Sequence, residues 1–170
     1  MTEKIFLRYS AEDLAQLSGR IQHCLGKLTA DQIWLRHSEN ENAVGNLVLH
    51  LCGNVRQWIG FGVGKLPDIR ERDAEFAARG DMPPAELSAR LNESVGMAVK
   101  IIAELSHARL TERTEIQGHD VTVLEAIYHV VEHFAQHTGQ IILLTKLFTG
   151  DDLGFYAHLK QAGPHGRKTP

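Results

Sequence analysis

Apolar residues recur along most of the chain at steps of three and four, the period of an amphipathic helix rather than the alternation of a strand. Leu14, Leu17, Ile21, Leu25 and Leu28 form the first stripe and predict a helix of about five turns or more. Thr29-Ala-Asp-Gln32 then reads as a capping box, in which a hydroxyl and an amide side chain satisfy orphan backbone N–H groups, opening a short turn through Trp34. Asn42 is the expected N-cap of a second helix carrying Val44, Val48, Leu51, Val55, Trp58 and Gly62, with Gly60, Gly62 and Gly64 ending it. Residues 65–82 are charged and hold Pro67 and Gly80, which predicts a long crossing connection. Pro83 and Pro84 suit the first turn of a third helix, where a missing N–H costs nothing, and Leu87, Leu91, Val95, Ala98, Ile102 and Leu105 follow as its buried stripe. Residues 110–121 predict a loop with room for a small hairpin. A second capping box, Thr122-Val-Leu-Glu125, opens the last long helix, whose inward positions are Val123, Ile127, Val130, Phe134, Ile141, Leu144 and Phe148 and whose stop is Gly150.

These elements predict an all-α fold: an antiparallel four-helix bundle over residues 1–150, with a long crossing connection between helices 2 and 3. Residues 151–170 form a C-terminal tail in which Phe155, Tyr156 and Leu159 supply one docked turn, followed by Gly163-Pro164-His-Gly166 and a basic end. Composition agrees with one domain, since 170 residues with 43% hydrophobic letters bury a core without disulfide help. Eighteen Lys and Arg against 21 Asp and Glu are scattered and sum to a charge of −3, which argues against nucleic acid as a partner. Unbroken apolar runs reach only the length of Ile141 to Leu144, far short of the ~18 residues that cross a bilayer, so no membrane partner is expected. With Cys24 and Cys52 as the only cysteines and no signal-peptide pattern in the opening residues, a reducing cytoplasm is the expected location.

Histidine changes the picture, because there are 10 of them and three stand at four-residue spacing in His129-Val-Val-Glu-His133-Phe-Ala-Gln-His137. Each step of four rotates about 40° and rises about 6 Å, so two neighbouring imidazoles converge on one ion while all three would have to span about 12 Å. One pair binds and the third supports. His137 falls in the inward stripe between Phe134 and Ile141, with His133 beside it, so this pair faces the bundle. His50 is the natural third ligand, placed mid-helix between Leu47, Leu51 and Asn54. Three neutral imidazoles suit Zn or a similar divalent ion and leave a coordination position open. Asn46 and Asn54, one turn either side of His50, and His129, one turn before His133, are the residues expected to hydrogen-bond ligands or substrate. His23, His37, His107, His119, His158 and His165 lack such spacing and read as surface or loop residues, and Cys52 reads as a small core hydrophobe.

Other metal motifs fail on particular letters. A metalloprotease helix needs Glu next to the first His, where this chain has Phe134, and Glu132 projects about 100° away. A di-iron bundle needs two Glu-x-x-His pairs, and only Glu104-x-x-His107 has that spacing.

The chain resembles the DinB/YfiT-like superfamily of metal-dependent proteins, in a branch of unknown function. The resemblance covers most of the chain and rests on Asn46-Leu-Val-Leu-His50-Leu-Cys-Gly-Asn54-Val-Arg-Gln-Trp58, on Arg70-Glu-Arg-Asp73-Ala-Glu-Phe76, and on the segment from Val123 through His129, His133 and His137 to Gln140. It implies a four-helix bundle, a homodimer in many members, and a divalent ion on His50, His133 and His137, so that His133 pairs with His137 rather than with His129. Relatives include thiol-dependent S-transferases and isomerases. The implied function is therefore a metal-dependent enzyme acting on a small-molecule substrate, using Zn or Ni, with Mn or Fe as alternatives, and a low-molecular-weight thiol. His129 is the candidate catalytic group. The alternatives are a non-catalytic, metal-stabilised or small-ligand-binding bundle, and a metal-dependent hydrolase. Within the crossing, Arg70, Arg72 and Asp73 either turn towards the histidines or remain a solvated, salt-bridged loop.

Overall fold

In the computed structural model, which describes residues 1–80 and 82–161, the protein is mainly helical. Helix α1 runs over Thr2–Leu25, α2 over Ala30–Trp34 and α3 over Val44–Val55. The last of these passes without a break into a π-helical stretch, Arg56–Val63. A short α4, Arg72–Ala77, lies inside the crossing, and α5 spans Pro84–Ala103. Beyond the 3₁₀ turn His107–Thr111, strands β1 (Arg113–Ile116) and β2 (His119–Thr122) pair antiparallel, with Arg113 opposite Thr122. Helix α6 covers Val123–Thr149, and α7 covers Ala157–Gln161.

The long helices share one core. Helix α1 packs on α5 and α6, and α3 packs on the same two. The stripes read from the sequence are the buried faces: Leu14, Ile21, Leu51, Leu87, Leu91, Ile102, Ile127, Phe134 and Ile141 are all sealed from solvent. Both capping boxes form, with Thr29 Oγ1 accepting from Gln32 N and Thr122 Oγ1 from Glu125 N. Gly150 closes α6 in the left-handed conformation at φ 73°, where a side chain would strain the backbone. Leu153 is buried and Phe155 packs edge-on against His23, while Tyr156 and Leu159 are exposed. Residues 163–166 and the basic end expected after them lie outside the described residues.

Three local expectations change. The N-cap of α3 is Ala43 rather than Asn42, because Asn46 reaches back and its Oδ1 accepts from Ala43 N at 3.2 Å. The second helix does end at Gly64, the last of the three glycines, but its final turns widen into π-helix over Arg56–Val63, and such widening frequently accompanies functional sites. The crossing is also not simply a solvated loop, since α4 folds back on α3 and delivers Glu75 into the interior.

Candidate metal centre

Helix α3 presents His50 from one side and α6 presents His133 and His137 from the other. His50 is buried, and the other two are half-buried. His50 Nε2 lies 3.1 Å from His133 Nε2, and His137 Nε2 lies 3.2 Å from the same atom. One ring nitrogen from each of the three residues lies within 4.8 Å of the other two.

The remaining ring nitrogens decide what this convergence means. His50 Nδ1 is 3.0 Å from Glu75 Oε2, and His137 Nδ1 is 2.7 Å from Gln140 Oε1. Both oxygens only accept, and Arg70 Nη2, 3.2 Å from His50 Nδ1, has its shorter contact with Glu75 Oε2 at 2.8 Å, so the arrangement favours a proton on each Nδ1 and a lone pair on each Nε2 turned to the centre. His133 Nε2 has at most one proton to offer two lone pairs. Its own Nδ1 is buried without a partner. A bare cluster of this kind is short of positive charge at its middle, and a divalent cation with a preference for imidazole is the group that it fits. Protonation does not fill the gap. Burial, with His137 and His50 close by, pushes His133 down to about 3. Burial also lowers His137, against the opposing hydrogen bond that it donates to Gln140. Neutral imidazole, the form that ligates metals, is therefore present at neutral pH.

Behind His50 stands a second layer, of which the sequence reading considered Arg70 but not Glu75. Glu75 Oε2 also accepts from Arg70 Nη2 at 2.8 Å, and Glu75 Oε1 accepts from Arg70 Nε at 2.7 Å. The Arg70 side chain is 3% exposed and that of Glu75 9%. Burial alone would raise the Glu75 carboxyl, but the hydrogen bonds from Arg70 and His50 outweigh it and hold the group below the usual carboxylate range. An ionised carboxylate on the far nitrogen of a histidine is how ligating imidazoles are commonly fixed. Gly53 makes room for it, since a Cβ there would run into the Glu75 carboxylate. Of the three crossing residues considered, Arg70 turns inward through Glu75, while Arg72 stacks over the Phe76 ring at 5.0 Å and Asp73 stays exposed. Phe76 in turn packs on His50 with ring centres 4.8 Å apart.

The other expected neighbours divide. Asn46 does not face the histidines: its Nδ2 donates to Glu75 O and Ala78 O, both at 3.0 Å, and so holds α4 in place. Asn54 is buried, with Oδ1 unpartnered. His129 packs against Trp58 with ring centres 4.1 Å apart and stands 5.6 Å from the His133 ring, its basicity lowered by burial. Trp58 Nε1 is a further buried donor without a partner. His23, His37, His107, His119 and His158 are exposed, and Cys52 is buried. His165 lies outside the described residues.

Fold and site together define a mainly helical protein with a DinB-like fold and three converging histidines. More narrowly, the chain belongs to the family described as Protein of unknown function (DUF1572), which matches residues 2–158. No curated protein sequence matches it. Among solved structures it is similar to a conserved protein from Enterococcus faecalis, at 17% identity and a TM-score of 0.70, over 85% of this chain and 97% of that one. A DinB-like protein, YjoA, from Bacillus subtilis superposes with a TM-score of 0.67 at 14% identity, over 87% and 97% of the two chains. A mycothiol-dependent maleylpyruvate isomerase superposes with a TM-score of 0.63 at 16% identity over 79% of this chain, which spans 60% of the isomerase. At these identities the likeness is one of fold.

Proposed function

We propose that the protein is a divalent-metal-dependent enzyme on an antiparallel four-helix bundle, with His50, His133 and His137 as ligands and a low-molecular-weight thiol as co-substrate in an S-transfer reaction. One observation carries the reading. Three imidazole Nε2 atoms meet, two of them with the opposite nitrogen committed to Glu75 or Gln140, so the centre is lined by lone pairs. Zn and Ni suit three neutral imidazoles best, with Mn and Fe as alternatives.

When bound, such an ion supplies Lewis acidity that lets a thiol ionise near neutral pH, so the missing protein carboxylate base is no obstacle. Among the described residues the converging group has three members, and the Glu75 carboxylate behind His50 is taken up by Arg70 and His50. An incomplete shell favours catalysis over a purely structural ion. Arg70 and Glu75 hold His50 in one tautomer and orientation, and Gln140 does the same for His137. His129, kept neutral by burial, is placed to take or return a proton beside His133, and Asn54 Oδ1 offers an acceptor to a polar substrate group. The mycothiol-dependent neighbour supports the thiol. His129 also favours a second reading, a hydrolase, in which it would serve the leaving group.

Cobalt(II) replacement tests the thiol directly. In protein loaded with cobalt, glutathione, mycothiol or bacillithiol is expected to add a near-ultraviolet sulfur-to-metal charge-transfer band. A spectrum that none of these thiols alters contradicts the thiol reading and leaves the hydrolase.

A further inference from the structure

We propose that a second small-molecule site lies behind the metal centre, in a cavity of about 610 Å³ between α3, the crossing connection and α5, and that it takes an acyl or aromatic molecule with one anionic end. Its walls carry this inference whether or not a metal binds.

The cavity and the histidine cluster share a partition. Arg70 and Glu75 line the cavity, whereas His50, His133 and His137 do not. His50 turns its Nδ1 to Glu75 and its Nε2 to His133, so the cavity lies on the Nδ1 side of that ring and the metal centre on the other. An occupant would touch the metal centre only through the Arg70–Glu75 pair.

The volume is that of a ligand pocket, and the lining is mostly apolar, with Leu49, Leu66, Met82 and Met97 among its residues. Methionine at two of these places suits an irregular, adaptable apolar ligand. Cys52 belongs to this apolar wall and is buried. Ser94 is the polar exception. Its side chain is 1% exposed, and its hydroxyl has the Cys52 thiol beside it but no nitrogen or oxygen partner. A buried hydroxyl left so is expected to meet a ligand or an ordered water.

The anionic end follows from the helical rim. Arg56 and Arg90 line the cavity, the first 3.2 Å from Glu93 and the second 2.8 Å from Glu86, in exposed pairs of the kind that hold weakly and are readily exchanged. Three carboxylates of the facing crossing line the cavity, of which Glu75 is held by Arg70. Asp68 is occupied by the Gln57 amide at 2.8 Å and by Arg70 N at 3.1 Å, and Glu71 is exposed. A carboxylate that entered along the α3 and α5 walls would therefore meet guanidinium groups first, with its chain on the methionines.

Decanoate and 1-decanol serve as probes, titrated into the full chain and followed by amide chemical shifts. Decanoate is expected to shift Leu49, Cys52, Ser94 and Met97, and to bind more tightly than the alcohol. Ala74→Trp and Met97→Trp, which fill the cavity, are each expected to weaken decanoate about tenfold or more, with metal content and melting temperature kept as the check on folding. The double variant Arg56→Gln, Arg90→Gln is expected to weaken decanoate and leave the alcohol unchanged. If neither probe binds a folded protein, or if the filled variants bind as before, the site is overturned. Alcohol binding as tight as the acid would overturn the anionic end. Because metal content is read on the same samples, failure of the cavity and failure of the metal centre are distinguishable.

Discussion

Glu75 grips the Nδ1 side of His50 at 3.0 Å from a point 25 residues further along the chain. That single contact makes the crossing connection part of the site, and its energetics differ from those of a surface pair. Removing the carboxylate strands the Arg70 guanidinium, whose side chain is 3% exposed, and an uncompensated buried charge of this kind costs about 3–5 kcal/mol. Glu75→Ala is therefore expected to lower the melting temperature strongly. Glu75→Gln keeps an acceptor for His50 and loses the charge, and should weaken metal binding by about 10–100-fold with a smaller thermal effect. Competition with a chelator and thermal melts measure the two. Equal metal affinity in Glu75→Gln and wild type would remove Glu75 from the site.

Gly53 is expected to matter although it ligates nothing. Gly53→Ala puts a methyl group where the Glu75 carboxylate sits, so the carboxylate must leave His50 or α4 must shift. Overpacking of this sort costs about 1–3 kcal/mol. Metal affinity should fall in Gly53→Ala, while Gly96→Ala on the outside of α5, where a Cβ meets nothing, should leave it unchanged.

A pH dependence follows from His133. Burial and the neighbouring histidines depress its folded-state value from 6.5 to about 3. Between those values the unfolded chain takes up a proton that the folded one refuses, so the stability of metal-free protein falls as pH drops below 6.5 and goes on falling towards about 3. The melting temperature of chelated protein should thus decline from about pH 7 to about pH 5, and His133→Leu should flatten the decline. A slope that is unchanged in the variant would show that other groups control it.

His129 separates binding from turnover. It stands against Trp58 rather than among the converging Nε2 atoms, so His129→Gln should retain its metal. Loss of a general acid or base typically costs about 10²–10⁴ in rate, and a fall in kcat of that order with normal metal content is the expected result in the thiol-transfer assay. A variant that is fully active would limit His129 to packing.

Much of this was legible in the chain. Four-residue histidine spacing and the inward position of His137 place two of the three converging histidines on α6, and the period of α3 supplies His50. Both capping boxes fix helix starts because their chemistry is local. The α3 start was misread by one residue because Asn46, inside the helix, caps Ala43 from within. Glu75 was not legible for a different reason. Glu71, Asp73 and Glu75 are equivalent as letters, and only the rotation of α4 against α3 decides which one enters. Two weak signals existed: Phe76, the lone aromatic in a charged run, and Gly53, a small residue one turn from His50. The π-helical stretch was hidden behind glycines that ordinarily end a helix.

The most direct test of the metal centre is elemental analysis of untagged protein beside His133→Ala, expressed, reconstituted and purified identically. The account predicts about one divalent ion per chain in the wild type and almost none in a variant that remains folded. Little metal in either protein after reconstitution, or equal metal in both, would contradict it.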